Sequence, residues 1–285
     1  MPIDRAKAMA ATFPQGKASW GNDDVILYHL GIGAGVPATS PNELAYTYEK
    51  NLKVLPSFAV VVKFAPMGDI LSMPGLDFNP FMLLHGEQDV EVHNPLPPTA
   101  EGVTGQMKIA DVYDKGKAAV AILEIHAKDA SGTSLFTNRM ALFLRGEGGF
   151  GGPPGPKTGN VAPERPPDGV IESPSFPQQA LLYRLNGDKN PLHADPDFAA
   201  MGGFDRPIIH GLCSYGIVLK AIVDHVLDGD VTKVARFQAR FAGVAFPGET
   251  YVTSYWKEGD TILLHAKVKE RDAMVISNAA VMVRG

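Results

Sequence analysis

The sequence predicts an α+β fold made of two repeats, each with a central helix wrapped by an antiparallel sheet. The chain has 285 residues, of which 45% are hydrophobic, enough for two domains of ordinary size with sizeable cores. Three observations support this prediction. The two halves end in segments of similar pattern, the second half contains a long apolar segment, and a glycine- and proline-rich stretch separates the halves.

Residues 107–146 and residues 250–285 each read as three strands joined by two short turns. Their runs AVAILEIHA and MVISNAAVMV are rich in apolar and β-branched residues, as strands usually are. The turns are predicted at 115–116, 131–132, 258–259 and 271–272. Because such short turns leave no room for crossover helices, antiparallel meanders are expected. A duplicated fold explains the similarity, and two unrelated β-rich halves are the alternative.

A buried helix is predicted over residues 208–227, because apolar residues recur there at helical spacing and leave little polar face. Residues 54–65 hold the equivalent place in the first half, but they are shorter and Pro56 interrupts their start.

Two further helices are predicted near the N-terminus. Residues 22–33 form the first, with Asn22 or Asp23 as the expected N-cap, and residues 40–51 form the second.

Glycine and proline dominate residues 146–169. This composition excludes a helix or a central strand there. So long an irregular stretch is uncommon inside one compact domain, so it is interpreted as a linker. The predicted division is an N-terminal repeat at 1–146, a linker at 147–178 and a C-terminal repeat at 179–285.

The composition excludes several classes of function. A net charge of −5 argues against a general nucleic-acid binder. The single cysteine, Cys213, excludes an intramolecular disulfide and fits a reducing compartment. No apolar run reaches the roughly 18 residues of a membrane span, and the N-terminus does not resemble a signal peptide. A soluble, cytoplasmic protein without a membrane partner is expected.

The polar segment GDKNPLHADP lies between apolar segments. Pro191 prevents a regular helix, and Pro196 is expected to start the next one. Across such a turn Asp188 and His193 can converge on one water, the carboxylate and the imidazole sharing its protons. The alternative is a simple Asx turn with an exposed histidine.

Gly211 follows His210 at the start of the predicted buried helix. The N–H groups of a first helical turn have no partner within the helix and carry the positive end of its dipole. Gly211 N–H is therefore a candidate donor to a carbonyl oxygen that gains negative charge. The alternative is that Gly211 merely permits close helix–sheet packing.

Other motifs fail. Residues 152–158 faintly resemble a phosphate-binding loop, but Pro156 replaces a required glycine and the prolines remove N–H donors. His193, Asp195 and Asp197 alternate like metal ligands, but no recognised metal-binding spacing supports them. We therefore expect neither a metal nor a cofactor.

The segments YRLNGDKNPLHADPDFA and FDRPIIHGLCSYG resemble the signature of the hydratase 2 group of MaoC-like enzymes. These are (R)-specific 2-enoyl-CoA hydratases, and they include the hydratase part of peroxisomal multifunctional enzyme type 2. LLHGEQDVEVHNPLPP, DVYDKGKAAV and RFAGVAFPGETYVTSYWKEG also resemble the family, so the resemblance covers nearly the whole chain. It implies a double hotdog fold, with the catalytic motif in the C-terminal repeat and room for the acyl tail in the N-terminal repeat.

The resemblance also implies roles for individual residues. Asp188 and His193 would activate the water that adds to the double bond, and it is open which of the two is the base. Asn190 would help to hold that water or to orient the pair, and Gly211 N–H would face the thioester oxygen. The implied substrate-binding residues are His85, Gly86, Lys115, Lys189 and Phe241. The implied supporting residues are Glu49, Tyr183 and His210.

The implied reaction is the reversible hydration of trans-2-enoyl-CoA to (3R)-3-hydroxyacyl-CoA, in fatty acid oxidation or in degradation of a sterol or bile-acid side chain. A hotdog acyl-CoA thioesterase or an acyl-carrier-protein dehydratase is the alternative enzyme. A non-catalytic acyl-CoA-binding protein is a third hypothesis, although it would have no use for an acid–base pair. The sequence shows no dehydrogenase or sterol-carrier part and no peroxisomal tail, so a stand-alone, homodimeric, cytoplasmic enzyme is expected.

Overall fold

The computed structural model describes residues 3–64, 70, 72–157 and 159–285. In these residues ten strands form one sheet: β1 (Gly16–Trp20), β2 (Leu83–Val92), β3 (Ala100–Asp114), β4 (Ala118–Lys128), β5 (Ser134–Arg145), β6 (Gly169–Pro174), β7 (Val234–Phe241), β8 (Thr250–Glu258), β9 (Thr261–Val268) and β10 (Ala273–Val283). The order across the sheet is β1-β3-β4-β5-β2-β7-β10-β9-β8-β6, and each pairing is antiparallel.

The two halves of the sheet have the same connectivity. β2 to β5 correspond to β7 to β10, and the edge strands β1 and β6 pair with the equivalent strands β3 and β8. The halves join where β2 pairs with β7, with Glu87 opposite Arg240. Three of the four predicted turns fall between the observed strands of the two meanders, and the fourth, at 258–259, begins at the last residue of β8, so those turns are confirmed.

Six helices are present in the described residues: α1 (Arg5–Met9), α2 (Asn22–Gly31), α3 (Pro41–Thr47), α4 (Gln179–Tyr183), α5 (Pro196–Met201) and α6 (Gly211–Val226). None of these helices is both long and apolar enough to cross a membrane. The predictions that Pro196 starts a helix and that a helix lies within 40–51 are confirmed.

Helix α6 is the buried helix that the apolar pattern predicts. Its side chains from Cys213 to Leu219 are all buried. Gly216 is needed there, because an added Cβ would lie 2.6 Å from the Tyr28 hydroxyl oxygen. In the described residues, the equivalent place in the N-terminal half holds a 3-10 turn, Pro56–Val60, with proline in its first turn. Residue 65, the end of the predicted segment, lies outside the described residues.

The prediction of the N-cap of α2 was wrong. Gly21 is the N-cap, and both Asn22 and Asp23 lie inside the first helical turn. The carboxylate of Asp24 accepts the Gly21 N–H at 2.8 Å, so the acidic side chain caps from inside the helix.

The predicted linker at 147–178 contains β6, which pairs with β8 at the outer edge of the sheet. The part of it before β6 is irregular in the described residues, as its glycines and prolines predict. The division of the chain at this linker stays a prediction.

Candidate active site

The segment between α4 and α5 is a tight turn built from local hydrogen bonds. A 3-10 turn at Arg184–Asn186 ends at Gly187, whose φ of 111° favours glycine. The Asp188 carboxylate then accepts the Asn190 N–H at 3.1 Å, and the Asn190 side chain accepts the Leu192 N–H at 3.0 Å. A second 3-10 turn starts at Pro191 and delivers His193 to the interior.

His193 is only 8% exposed, and its Nδ1 lies 2.9 Å from the carbonyl oxygen of Ile208. A carbonyl oxygen can only accept, so Nδ1 carries the hydrogen. Nε2 of the neutral ring therefore has a free lone pair and can take a proton.

Asp188, His193 and His210 converge, with ligand-type atoms all within 4.8 Å of one another. The rings of His193 and His210 stack with centroids 3.6 Å apart and planes 24° apart. Nε2 of His210 lies 3.3 Å from the backbone oxygen of Asp188, whereas its buried Nδ1 has no hydrogen-bond partner among the described residues. The carboxylate itself is exposed, so the group opens to a ligand from the side of Asp188.

Burial keeps both stacked imidazoles neutral. It lowers the pKa of His193 below its ordinary value of 6.5, although the Asp188 charge acts in the opposite direction. Burial, followed by the charge of His193, lowers the pKa of His210 to about 4. His193 is thus held as a base, next to a carboxylate that stabilises the imidazolium formed when it takes a proton.

Gly211 is the first residue of α6, and its N–H belongs to the helical turn that has no internal acceptors. A Cβ built on Gly211 would lie 3.3 Å from the ring of Phe241 at the end of β7. The glycine therefore leaves space between the helix start and this ring, where a flat group can approach the N–H.

His85 and Gly86 lie near the start of β2. The register of β2 against β5 shifts between His85 and Glu87, so Gly86 forms a bulge that re-aims the neighbouring side chains. The His85 ring meets the Phe241 ring edge-on at 5.0 Å, and its Nε2 is buried without a partner in the described part of the chain. Burial lowers the pKa of His85 to about 4, so this ring is neutral as well.

Lys115 lies in the β3–β4 turn, at the same end of the sheet as His85. The register shows this, since Leu83 faces Leu144, which in turn faces Ala119. The Lys115 ammonium is exposed and donates to the carbonyl oxygen of Pro154.

The remaining predicted residues differ in their distance from the convergence point. Tyr183 packs its buried ring 5.0 Å from His210. Lys189 is exposed on the turn beside Asp188. Glu49 is exposed after the end of α3, and no hydrogen bond or ion pair among the described residues joins it to the site.

Two cations that the sequence analysis did not single out brace this turn. Lys63 donates to the carbonyl oxygen of Gly187 at 3.1 Å, and Arg184 donates to that of Lys189 at 3.4 Å. Arg184 stands in the quoted motif YRLNGDKNPLHADPDFA, so its position there was a readable signal. Lys63 comes from the other half of the chain, and only the fold brings it here.

A cleft of about 380 Å³ lies beside the turn, in the space left by the short 3-10 turn. Its apolar wall comes from β1, α2 and residues 58–62, and its rim includes Lys63 and Asn186. The apolar lining residues are Ala18, Trp20, Leu27, Phe58, Val61, Val62 and Leu185, and the polar ones are Lys17, Ser19, Asp24, Lys63 and Asn186. The cleft therefore has a mixed lining, and its residue Asn186 lies two positions before Asp188 in the chain.

The three convergent side chains are also a possible metal-binding set, since two imidazoles and a carboxylate are common zinc ligands. The prediction that no metal takes part stays a prediction.

Two family models match the chain. Residues 19–146 match the MFE-2 hydratase 2 N-terminal domain, and residues 158–279 match the MaoC like domain. "Enoyl-CoA hydratase ChsH3" of Mycobacterium tuberculosis is 46% identical over 99% of this chain and 99% of its own length. The chain belongs to the hydratase 2 family of MaoC-like enzymes.

Further similarities agree. "Enoyl-CoA hydratase 2, peroxisomal" of Arabidopsis thaliana is 40% identical over 94% of this chain and 92% of its own length. The crystal structure of a MaoC-like dehydratase from Phytophthora capsici superposes with a TM-score of 0.89 at 34% identity, covering 99% of this chain and 98% of that one. With the repeated sheet described above, these similarities confirm the predicted double hotdog fold.

Proposed function

We propose that the protein catalyses the reversible hydration of trans-2-enoyl-CoA to (3R)-3-hydroxyacyl-CoA. The observation that carries this proposal is the convergence of a neutral His193 and the Asp188 carboxylate on one point. Membership of the hydratase 2 family and the name of the M. tuberculosis relative support it.

Water addition uses the polarity of the thioester. The carbonyl withdraws electrons from C3 of the enoyl group, so the oxygen of water attacks C3. Nε2 of His193 takes one proton from that water, and Asp188 holds the water and stabilises the resulting imidazolium. The Asn190 side-chain oxygen caps the 3-10 turn that carries His193, so Asn190 serves by fixing this geometry.

The attack moves negative charge onto the thioester oxygen. Gly211 N–H, at the positive end of the α6 dipole, donates to this oxygen and stabilises the enolate. The enolate then takes at C2 the proton that His193 holds, either directly or passed on through Asp188. One water thus supplies both the hydroxyl at C3 and the proton at C2, and both side chains return to their starting states.

The substrate follows the surface on both sides of Gly211. The CoA part extends past Phe241, His85 and Gly86 towards Lys115, whose ammonium suits phosphate. The acyl tail occupies the cleft of the N-terminal half and packs on its apolar residues, such as Trp20, Phe58 and Val61. Fatty tails and the larger sterol or bile-acid tails are both candidates for this cleft.

The experiment is incubation with crotonyl-CoA, a medium-chain 2-enoyl-CoA and a sterol-side-chain enoyl-CoA. We expect loss of enoyl absorbance and a product that only a (3R)-specific dehydrogenase oxidises. Release of free CoA thiol would support the thioesterase alternative, and no turnover of any enoyl-CoA would refute the proposal. Activity that survives dialysis against EDTA would support the metal-free mechanism.

A further inference from the structure

The glycine-rich residues 146–155, here called the glycine strap, wrap around the β3–β4 turn. The Gly148 backbone packs so closely on this turn that an added Cβ would lie 2.5 Å from the Ala118 nitrogen. Gly155 lies on the face of the Tyr113 ring, where a Cβ would come within 2.6 Å of a ring carbon. The glycines of this segment therefore allow close contact with the turn, which a flexible linker would not require.

Asp114 pins the glycine strap. Its carboxylate accepts the N–H groups of Gly149 at 2.9 Å, Gly151 at 2.8 Å and Gly116 at 2.8 Å. Its own backbone N–H donates to the Pro153 oxygen at 2.8 Å. Hydrogen bonds from these glycines, Gly149 first, lower the pKa of Asp114 below its ordinary value of 3.8, so the carboxylate stays charged at neutral pH.

The glycine strap also holds Lys115, since the Lys115 ammonium donates to the carbonyl oxygen of Pro154. An ammonium group has three N–H donors, so two are left for another acceptor. The β3–β4 turn lies at the end of the sheet where the His85 ring meets the Phe241 ring, which itself lies beside Gly211.

We infer that Asp114 is a positioning residue for CoA recognition: it pins the glycine strap, and the strap holds the Lys115 ammonium where the phosphates of CoA bind. This inference rests on the proposed function, because it takes CoA thioesters as the substrates. Asp114 itself does not touch the reacting atoms, so its loss should weaken binding of the phosphorylated end and leave the chemistry unchanged.

The test compares Asp114→Asn with the wild-type protein on two thioesters. One is crotonyl-CoA, and the other is crotonyl N-acetylcysteamine, which has the same reacting group but lacks the phosphates and the adenosine. We expect the KM for crotonyl-CoA to rise roughly tenfold, the loss of about one charged hydrogen bond, with kcat unchanged. The kcat/KM for the N-acetylcysteamine thioester should not change.

A second variant disturbs the glycine strap without touching Asp114. Gly151 has a φ of 81° and no heavy atom within 4 Å of an added Cβ, so Gly151→Ala strains the strap through its backbone alone. It should produce the same selective rise in KM. The matched control is Asp129→Asn, since Asp129 accepts backbone N–H groups from Ser131 and Thr133 in the β4–β5 turn at the other end of β4. This control variant should leave the kinetic constants for both thioesters unchanged.

Equal losses on both thioesters, or no loss on crotonyl-CoA in either strap variant, would overturn the inference while leaving the proposed function standing. A wild-type protein that hydrates neither thioester would remove the proposed function, and the inference with it.

Discussion

The two halves of the molecule share one sheet plan and differ in what the sheet wraps. The C-terminal half wraps α6, a helix of 16 residues, whereas the N-terminal half wraps a 3-10 turn of 5 residues. The long helix fills its half and directs its first turn at the site. The short turn leaves the cleft of about 380 Å³ beside that site. The same strand arrangement thus carries a hydrogen-bond donor at the start of a helix in one half and leaves an open cleft in the other.

Two buried histidines show the same contrast. In the N-terminal half, Nδ1 of His29 donates to the Tyr46 oxygen at 2.8 Å, and Nε2 accepts the Leu55 N–H at 3.2 Å. In the C-terminal half, Nδ1 of His210 is buried without a partner among the described residues. A ring with both nitrogens bonded has a structural role. A free buried nitrogen also occurs on His85, so the position of His210 beside Asp188 and His193 is what assigns this ring to the reactive group.

The largest expected effect comes from the convergent pair of the C-terminal half. Asp188→Asn and His193→Ala should each lower kcat about 10²- to 10⁴-fold, because each removes a group that handles the protons of water. Steady-state hydration of crotonyl-CoA measures this. Asp195→Asn is the control, since Asp195 only caps α5. Near-normal kcat in either site variant, with the fold intact, would show that the assigned role is wrong.

The next largest effect tests whether the Gly211 N–H, at the start of α6, is the hydrogen-bond donor to the thioester oxygen. Gly211→Pro removes the backbone N–H of residue 211. Proline is tolerated there, because residue 211 is the first residue of α6 and the ψ of 137° at His210 suits a following proline. Gly211→Ala adds a similar side chain near Phe241 but keeps the N–H. We expect kcat of the proline variant to be about 10²-fold below that of the alanine variant. Equal values would exclude Gly211 N–H as the oxyanion donor.

A smaller effect tests the space in the N-terminal half. Val61→Phe narrows the cleft, so kcat/KM for a dodecenoyl-CoA should fall about tenfold while that for crotonyl-CoA stays within about twofold. Val170→Phe is the matched control, because Val170 is 55% exposed on β6 and does not line the cleft. A loss shared equally by short and long substrates would mean that the tail does not enter this cleft.

The smallest effect concerns pH. Burial lowers the pKa values of His29 and His85 to about 4 from 6.5, so the unfolded chain binds protons at these rings at a higher pH than the folded chain does. Stability should therefore fall as pH drops from 7.5 to 5, above the range in which most carboxylates titrate. Urea midpoints at the two pH values measure this. His29→Gln should reduce the drop, and identical midpoints in the wild-type protein would contradict the assignment.

Much of the fold could be predicted from local patterns. Turns at Gly116, Gly132 and Gly259 interrupt β-rich runs, and all three glycines have positive φ, so the signal and the structure have the same physical cause. The N-cap of α2 could not be read, because Gly21 leaves the capping to a side chain one turn later.

The site was only partly predictable. The Asp188–His193 segment was readable because its hydrogen bonds are local. The stacking of His193 on His210 and the Lys63 bond to Gly187 depend on distant segments meeting, which no local pattern encodes. The glycine strap was interpreted as a linker because its partner, Asp114, lies more than thirty residues earlier in the chain.

The central claim is that the C-terminal half carries the reacting groups and the N-terminal half takes up the acyl tail. It is tested most directly by locating the acyl tail. A long-chain 2-enoyl-CoA with a terminal diazirine would be bound to an Asp188→Asn variant, irradiated and mapped by mass spectrometry. We expect cross-links on the cleft residues around Trp20 and on residues 58–63. Cross-links concentrated instead on β8 to β10 of the C-terminal half would contradict it.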